Sequence, residues 1–253
     1  MLAQEWQTKP PPPLQTREWR SGFLHAARRF RPGHPPHGSR PALARGNKKT
    51  GSSGAVFSAA LVWNLPPVAT CPGASAWCLN HCYCADPRED IYPIAEWLEN
   101  WGWFEEDPHG LSRQILREIS AAPRPVSVRI HSAGDFFSAE YIRFWGKILQ
   151  VAGDAVFWAY TRSWVIPKLR DELAQLRRLP NVQLFASHDA SMPPPPPGWR
   201  QSLVGANVAD AETVAGKRPG YIVCRQLDGT VPNCAACGIC QSMTSQSVVF
   251  CVH

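Results

Sequence analysis

Eight of the nine cysteines fall in two tight groups far apart in the chain, and any fold it adopts has to house both. The first group, Cys71–Cys84, reads CPGASAWCLNHCYC and puts four thiols in fourteen residues. The second runs Cys224, Cys234, Cys237 and Cys240, its last three at C-x2-C-x2-C spacing. No apolar export signal precedes them, because MLAQEWQTKPPPPLQ is polar and Pro-rich. That points to a reducing, cytoplasmic setting, where crowded thiols bind metal more often than they form disulfides. An Arg-rich, acid-poor start also fits an organellar transit peptide. No run reaches the roughly eighteen apolar residues of a membrane span, so no membrane contact is expected.

Between the groups, apolar runs of strand length alternate with amphipathic stretches. Ala55–Leu65 (AVFSAALVWNL) reads as a first strand ended by Pro66 and Pro67, with the first cysteine group directly after it. A helical stretch opens at Pro93 with Ile94, Trp97, Leu98 and Trp101 on one face, and the tryptophans read most simply as core. Asp107 caps a second helix with Pro108 at its first position and Leu111, Ile115, Leu116 and Ile119 as its stripe. Val126–Ile130, Ala155–Tyr160 and Val182–Ala186 are further strands. Helices that bury Ile142, Trp145, Ile148 and Leu149, then Leu169, Leu173 and Leu176, lie between them. After Pro193–Pro197 the rhythm weakens, and Ser202–Ala206 and Tyr221–Val223 complete about six strands. This order predicts an α/β protein with a parallel sheet. Six strands with few late helices favour a partial barrel; an open doubly wound sheet is the alternative.

The formal charge of +6 is unevenly spread. Residues 1–54 carry +8 and eight prolines, so the remainder is slightly acidic. Such a segment reads as a disordered, basic tail, with the α/β domain spanning 55–253. A cationic arm can touch nucleic acid weakly through phosphate charge, although a merely solvated extension explains it as well.

The C-x2-C-x2-C run is the spacing that wraps a four-iron cubane, so Cys224, Cys234, Cys237 and Cys240 are read as its ligands. Zinc is the alternative, but zinc ribbons split two pairs across a longer gap. In the first group Cys71, Cys78 and Cys82, with Cys84 close by, can give three thiolates and leave one iron open.

Two resemblances follow from these motifs. Cys78-Leu79-Asn80-His81-Cys82-Tyr83-Cys84 resembles the radical-SAM signature C-x3-C-x-aromatic-C, one residue short. The third thiolate is therefore Cys82 or Cys84, or all four cysteines bind. The ordered set TCPG…C…CY, RIHSAGDFFS, FWAYTRS and the cysteine-rich end, over roughly residues 47 to 242, resembles the phage "gene product eighty-eight" family. That resemblance implies Cys71, Cys78 and Cys82 as the first triplet. The family is similar to radical-SAM-like barrels, which implies a partial (βα)6 barrel, while the first resemblance implies a 4Fe–4S cluster whose open iron binds S-adenosylmethionine.

Polar residues gather at the strand ends, which converge on one mouth in a barrel. His131, Asp135, Tyr160, Arg162 and Asp189 are the catalytic candidates. Tyr83, Ser132, Gly134, Asp135, Ser187 and Asn207 are candidates to bind the cofactor, with Gly134-Asp135 where radical-SAM proteins receive the SAM amino group. The bland alternatives are a capping Asp135, buried His131 and His188, and an ion-paired Arg162. The expected function is a radical-SAM-like enzyme with an unknown substrate and a ferredoxin or flavodoxin as electron donor. The alternative is a non-catalytic iron–sulfur or zinc protein that binds nucleic acid or a protein partner.

Overall fold

Successive side chains of a strand point to opposite faces of its sheet, and here the two faces meet different companions. The computed structural model describes residues 40–82, 84, 91–242 and 244–251. Its elements run β1 Ala59–Trp63, α1 Ala76–Asn80, α2 Ile91–Glu106, α3 Pro108–Ala121, β2 Val126–Ile130 and α4 Ala139–Val151. They continue β3 Val156–Thr161, a 3-10 turn Ser163–Val165, α5 Pro167–Leu176, β4 Val182–Ser187, β5 Arg200–Gly205 and α6 Val208–Gly216. The last are β6 Tyr221–Val223, α7 Cys234–Cys237 and β7 Ser247–Cys251.

One face of the sheet meets the helices. Leu61, Trp63, Val128, Ile130, Phe157 and Leu184 share a core with the stripes of α3 (Leu111, Ile115, Ile119), α4 (Ile142, Trp145, Ile148, Leu149) and α5 (Leu169, Leu173, Leu176). The caps sit where the sequence puts them: the Gly110 amide donates to Asp107 and the Tyr141 amide to Ser138. Trp63 and Trp145 meet edge to face inside this core, so these tryptophans are packing residues. The opposite face carries Ala60, Tyr160, Phe185 and Val248, and it meets Phe57 and the segment that holds the second cysteine group.

All strand pairs are parallel, in the order β1-β2-β3-β4-β5-β7-β6. The sheet is therefore open and seven-stranded, one strand more than the six expected, and it does not close into a barrel. Closure requires the edge strands to meet with a fixed stagger. Here β6 is three residues long, and β1 is flanked by an antiparallel bridge between Ala44 and Val62.

That bridge also moves the boundary expected at residue 54. Leu43 is 2% exposed in the core, and the amides of Ala42 and Leu43 both donate to Glu118, at 2.7 and 2.8 Å. Arg40 pairs with Glu99 at 2.9 Å. Residues 40–54 are a strap packed on the domain, while the expected tail over 1–39 lies outside the described residues. No helix among those described is long and apolar enough to cross a membrane.

Candidate functional site

The first cysteine group lies at the C-terminal ends of β1 to β4. The loop after β1 leaves through Val68, whose φ of 66° is costly for a β-branched residue. Gly73 packs on the backbone of Arg162 and Ser163 at the end of β3. Ser75 caps α1 by accepting from the Cys78 amide at 3.1 Å, and its hydroxyl donates to Asp189 beyond β4. Arg162 donates through Nη1 to Asp189 at 2.6 Å and to the Met192 sulfur at 2.7 Å. These two side chains are 9% and 10% exposed, so the pair is nearly dry.

Burial pushes the Cys71 and Cys78 thiols up. Asp135 adds to both, and Arg162 opposes at Cys78. Cys78 and Cys82 both push the Cys71 thiol up further, and Cys82 does the same to Cys78. The Cys84 thiol instead faces the Ser132 carbonyl at 3.7 Å.

The structure brings Asp135, Arg162 and Asp189 together beneath these thiols. Asp135 is buried and accepts from the amides of Phe136 (2.7 Å) and Arg162 (2.8 Å), tying the loop after β2 to the loop after β3. Burial pushes its carboxyl upward against those hydrogen bonds. Burial also works to raise Asp189, but the Ser191 and Ser75 hydroxyls and the Arg162 charge together hold it below the usual carboxylate range.

The other expected residues make contacts of their own. His131 is 3% exposed, with φ 72° and its Nε2 at 2.8 Å from the Tyr141 hydroxyl, which also accepts from Trp63 Nε1. Burial, then Arg129, pulls its pKa down to about 3, so the ring stays neutral inside the helix-facing core. Gly134, at φ 85°, is a packing turn whose missing Cβ would strike Leu65 at 2.7 Å. Ser132 accepts from the Asn47 amide, and the Ser187 carbonyl accepts from Trp164 Nε1. Asn207 caps α6 through the Asp210 amide. His188 shares Gln201 Oε1 with Tyr221. Tyr83 lies outside the described residues. Tyr160, expected at the rim, turns to the other face of the sheet and donates to Cys240 Sγ at 2.9 Å.

That opposite face holds the second group. Cys224, Cys234, Cys237 and Cys240 line one pocket with Ile222, Ile239 and Val248. Burial pushes Cys234 up to about 11 and Cys240 to about 12. None of the nine cysteines, all of them among the described residues, is in a disulfide. Among the described residues no three His, Cys, Asp or Glu side chains gather tightly enough to hold a single metal ion. A four-thiolate zinc site needs sulfurs only about 3.8 Å apart, given Zn–S bonds of about 2.3 Å in a tetrahedron.

Sequence reasoning missed the cations around this pocket. Arg200 donates to Gln183 (2.8 Å) and to the carbonyls of Ile239 (3.1 Å), Ser242 (3.0 Å) and Gln246 (2.7 Å), clamping the loop that carries Cys240. It lies 4.1 Å from the Phe185 ring centre. Arg129 lies over Trp158 and Tyr160, and Lys49 stands 4.4 Å over Phe250. Burial lowers the Lys49 pKa, opposed by Cys224, Cys234 and Cys240. The strap holds the group directly: the amides of Cys234 and Ala235 donate to the carbonyls of Lys49 and Thr50, both at 3.0 Å. An arginine inside an apolar strand, as in VSVRI, was the available signal.

The family described as Gene product 88 matches residues 41–244, starting with the strap. The chain is 27% identical to the Gene 88 protein of Mycobacterium phage L5 over 193 residues, 68% of this chain and 77% of the relative. It is 28% identical to the Gene 88 protein of Mycobacterium phage D29 over 194 residues, 68% and 78% of the two chains. No solved structure matches. With most of its length inside the family match, the chain belongs to the Gene product 88 family.

Proposed function

We propose that the chain is an iron–sulfur protein of radical-SAM type. In this reading Cys71, Cys78 and Cys82 hold a four-iron cluster with one iron open, and Cys224, Cys234, Cys237 and Cys240 hold an auxiliary cluster. The observation that carries the reading is the second set, in which the four thiols of the segment 224–240 line one pocket with no disulfide between them. The electrostatic coupling of Cys71 and Cys78 to Cys82 at the strand ends supports the first set, and the turn of Cys84 toward Ser132 favours Cys82 as its third member.

Held by Cys71, Cys78 and Cys82, an open-iron cluster would supply the one-electron reduction of S-adenosylmethionine on which hydrogen-atom abstraction from a substrate depends. The chain's own side chains hold the ligand. Arg162, anchored through Nη1 by Asp189, can offer Nε and Nη2 to a carboxylate. Asp135 stiffens the floor by joining two strand ends. Loading either site displaces protons from buried thiols, so binding releases acid.

Anaerobic purification with iron and sulfide quantification tests this, followed by EPR with and without SAM. The expected result is a brown protein with about eight irons per chain, from two four-iron clusters, and a spectrum that changes with SAM. A colourless protein that carries zinc, or a spectrum indifferent to SAM, overturns it.

A further inference from the structure

The strap carries four Lys and Arg between residues 40 and 54 and no Asp or Glu. Among the described residues only Arg40 of these has a carboxylate partner, Glu99. Arg45 and Lys48 are exposed, and Lys49 is half-buried with its ammonium 4.4 Å over the Phe250 ring. The turn that presents them is locked from within. The Asn47 carboxamide oxygen accepts from the amides of Lys49 (3.0 Å) and Thr50 (2.8 Å), and the Asn47 carbonyl accepts from the Gly51 amide at 2.8 Å. Gly46 enters the turn at φ 71°, where a Cβ would strike the Gly51 carbonyl. Two outside contacts seat it on the domain. Asn47 Nδ2 donates to Ser132 Oγ at 2.9 Å, and the Lys49 and Thr50 carbonyls accept from the amides of Cys234 and Ala235. A solvated loop loses backbone freedom when it meets a ligand, whereas this turn has already lost it on folding.

We infer that this turn is a docking surface for the phosphate backbone of a nucleic acid, met by Arg45, Lys48 and Lys49 without readout of base sequence. Arginine offers a planar fork and lysine a compact point charge, and both suit phosphate oxygens. Charge complementarity selects the partner. Residues 55–253 are slightly acidic, so the positive charge is concentrated on the strap and on what precedes it. Residues 1–39, which run into the strap at Arg40, add six Lys and Arg against two Glu. Cations repeated along one stretch of chain match a polymer of repeating negative charge better than they match a single small anion. The inference is independent of what the thiols bind, and it adds a partner to the iron–sulfur reading.

The test is fluorescence anisotropy of a short labelled DNA duplex of random sequence, titrated with the full chain over a range of salt concentrations. Log affinity should fall linearly with log salt. Arg45→Ala and Lys48→Ala should each take about 0.9 off that slope, which is roughly an eightfold loss of affinity at about 0.1 M salt. Lys48→Arg keeps the charge and should bind as the parent does. Lys147→Ala removes an exposed cation from α4 and should change neither slope nor affinity. No binding at low salt overturns the inference, and so does an equal loss in Lys147→Ala, since binding would then follow net charge alone. Arg45→Ala and Lys48→Ala chains that bind like the parent overturn it as well, because the contact would then belong to residues 1–39. Displacement of the duplex by anionic phospholipid vesicles would assign the turn to a membrane surface and overturn it too. Iron and sulfide content of the same preparations reads the iron–sulfur proposal separately, so the two fail on different measurements.

Discussion

Gly54 offers the sharpest test of how the second thiol set is held. A Cβ at this position would stand 2.5 Å from the Ala235 carbonyl carbon and closer still to the Ala236 amide nitrogen, both backbone atoms of α7. Backbone cannot swing aside as a side-chain tip can, so Gly54→Ala must separate the strap from α7. The hydrogen bonds at stake are those of the Cys234 and Ala235 amides to the strap, and those of the Val56 and Phe57 amides to the Ala235 carbonyl at 3.1 Å each. Overpacking of this kind costs about 1–3 kcal/mol. At about 2–4 °C per kcal/mol for a chain of this size, the unfolding midpoint should fall by roughly 2–12 °C. Circular dichroism on the full chain reads the midpoint, and a thiol reagent reads the accessibility of Cys234, which should label faster. Gly153→Ala is the control, because its Cβ meets nothing within 4 Å. If Gly54→Ala melts with that control and Cys234 labels no faster, the strap is not pressed on α7 and the reasoning fails.

Three further outcomes follow from the same packing. Deleting residues 1–54 should lower the unfolding midpoint well below that of a 1–39 deletion, since burial of Leu43 alone contributes about 1.5–3 kcal/mol; equal midpoints would refute the strap. The folded pKa of His131, near 3, lies below the ordinary value near 6.5, so its contribution is whole above the ordinary value and is lost as pH falls toward the folded one. Its slope is at most about 1.4 kcal/mol per pH unit. Urea unfolding of His131→Asn, which tolerates the left-handed backbone, should show a flatter acid limb over that window, and an unchanged limb would place the ring in water. Asp189→Asn leaves Arg162 nearly buried without its countercharge and should cost about 3 kcal/mol by denaturant titration; a loss under half a kcal/mol would mean the pair is solvated.

Much of the fold was legible because local signals agreed. Val126–Ile130 and Tyr221–Val223 appear as strands over those same residues, and the stripes of α3, α4 and α5 are buried as their spacing requires. The strap was illegible because its composition argues the other way. Lys48 and Lys49 read as a solvated charge pair, yet Lys49 is half-buried over Phe250, and two residues, Ala42 and Leu43, anchor an otherwise polar segment. The run Ser247–Cys251 was passed over, and its insertion between β5 and β6 could not be read from order alone. At the site, strand-end placement correctly drew Asp135, Arg162 and Asp189 together. It could not say which face Tyr160 takes, because an odd or even step along β3 decides between the rim and the second pocket.

The placement of β7 between β5 and β6 has a temporal consequence. On the ribosome β1 to β5 emerge in the order in which they pair, so each can dock as it appears. β6 has β7 as its strand neighbour, and Val248 of β7 walls the second pocket. That pocket therefore stays unfinished until translation has passed residue 251, long after the rim cysteines have left the exit tunnel. Completion of the two thiol sets is thus ordered by synthesis itself, rim first, and a nascent chain paused before β7 would leave the second pocket without the wall that Val248 provides.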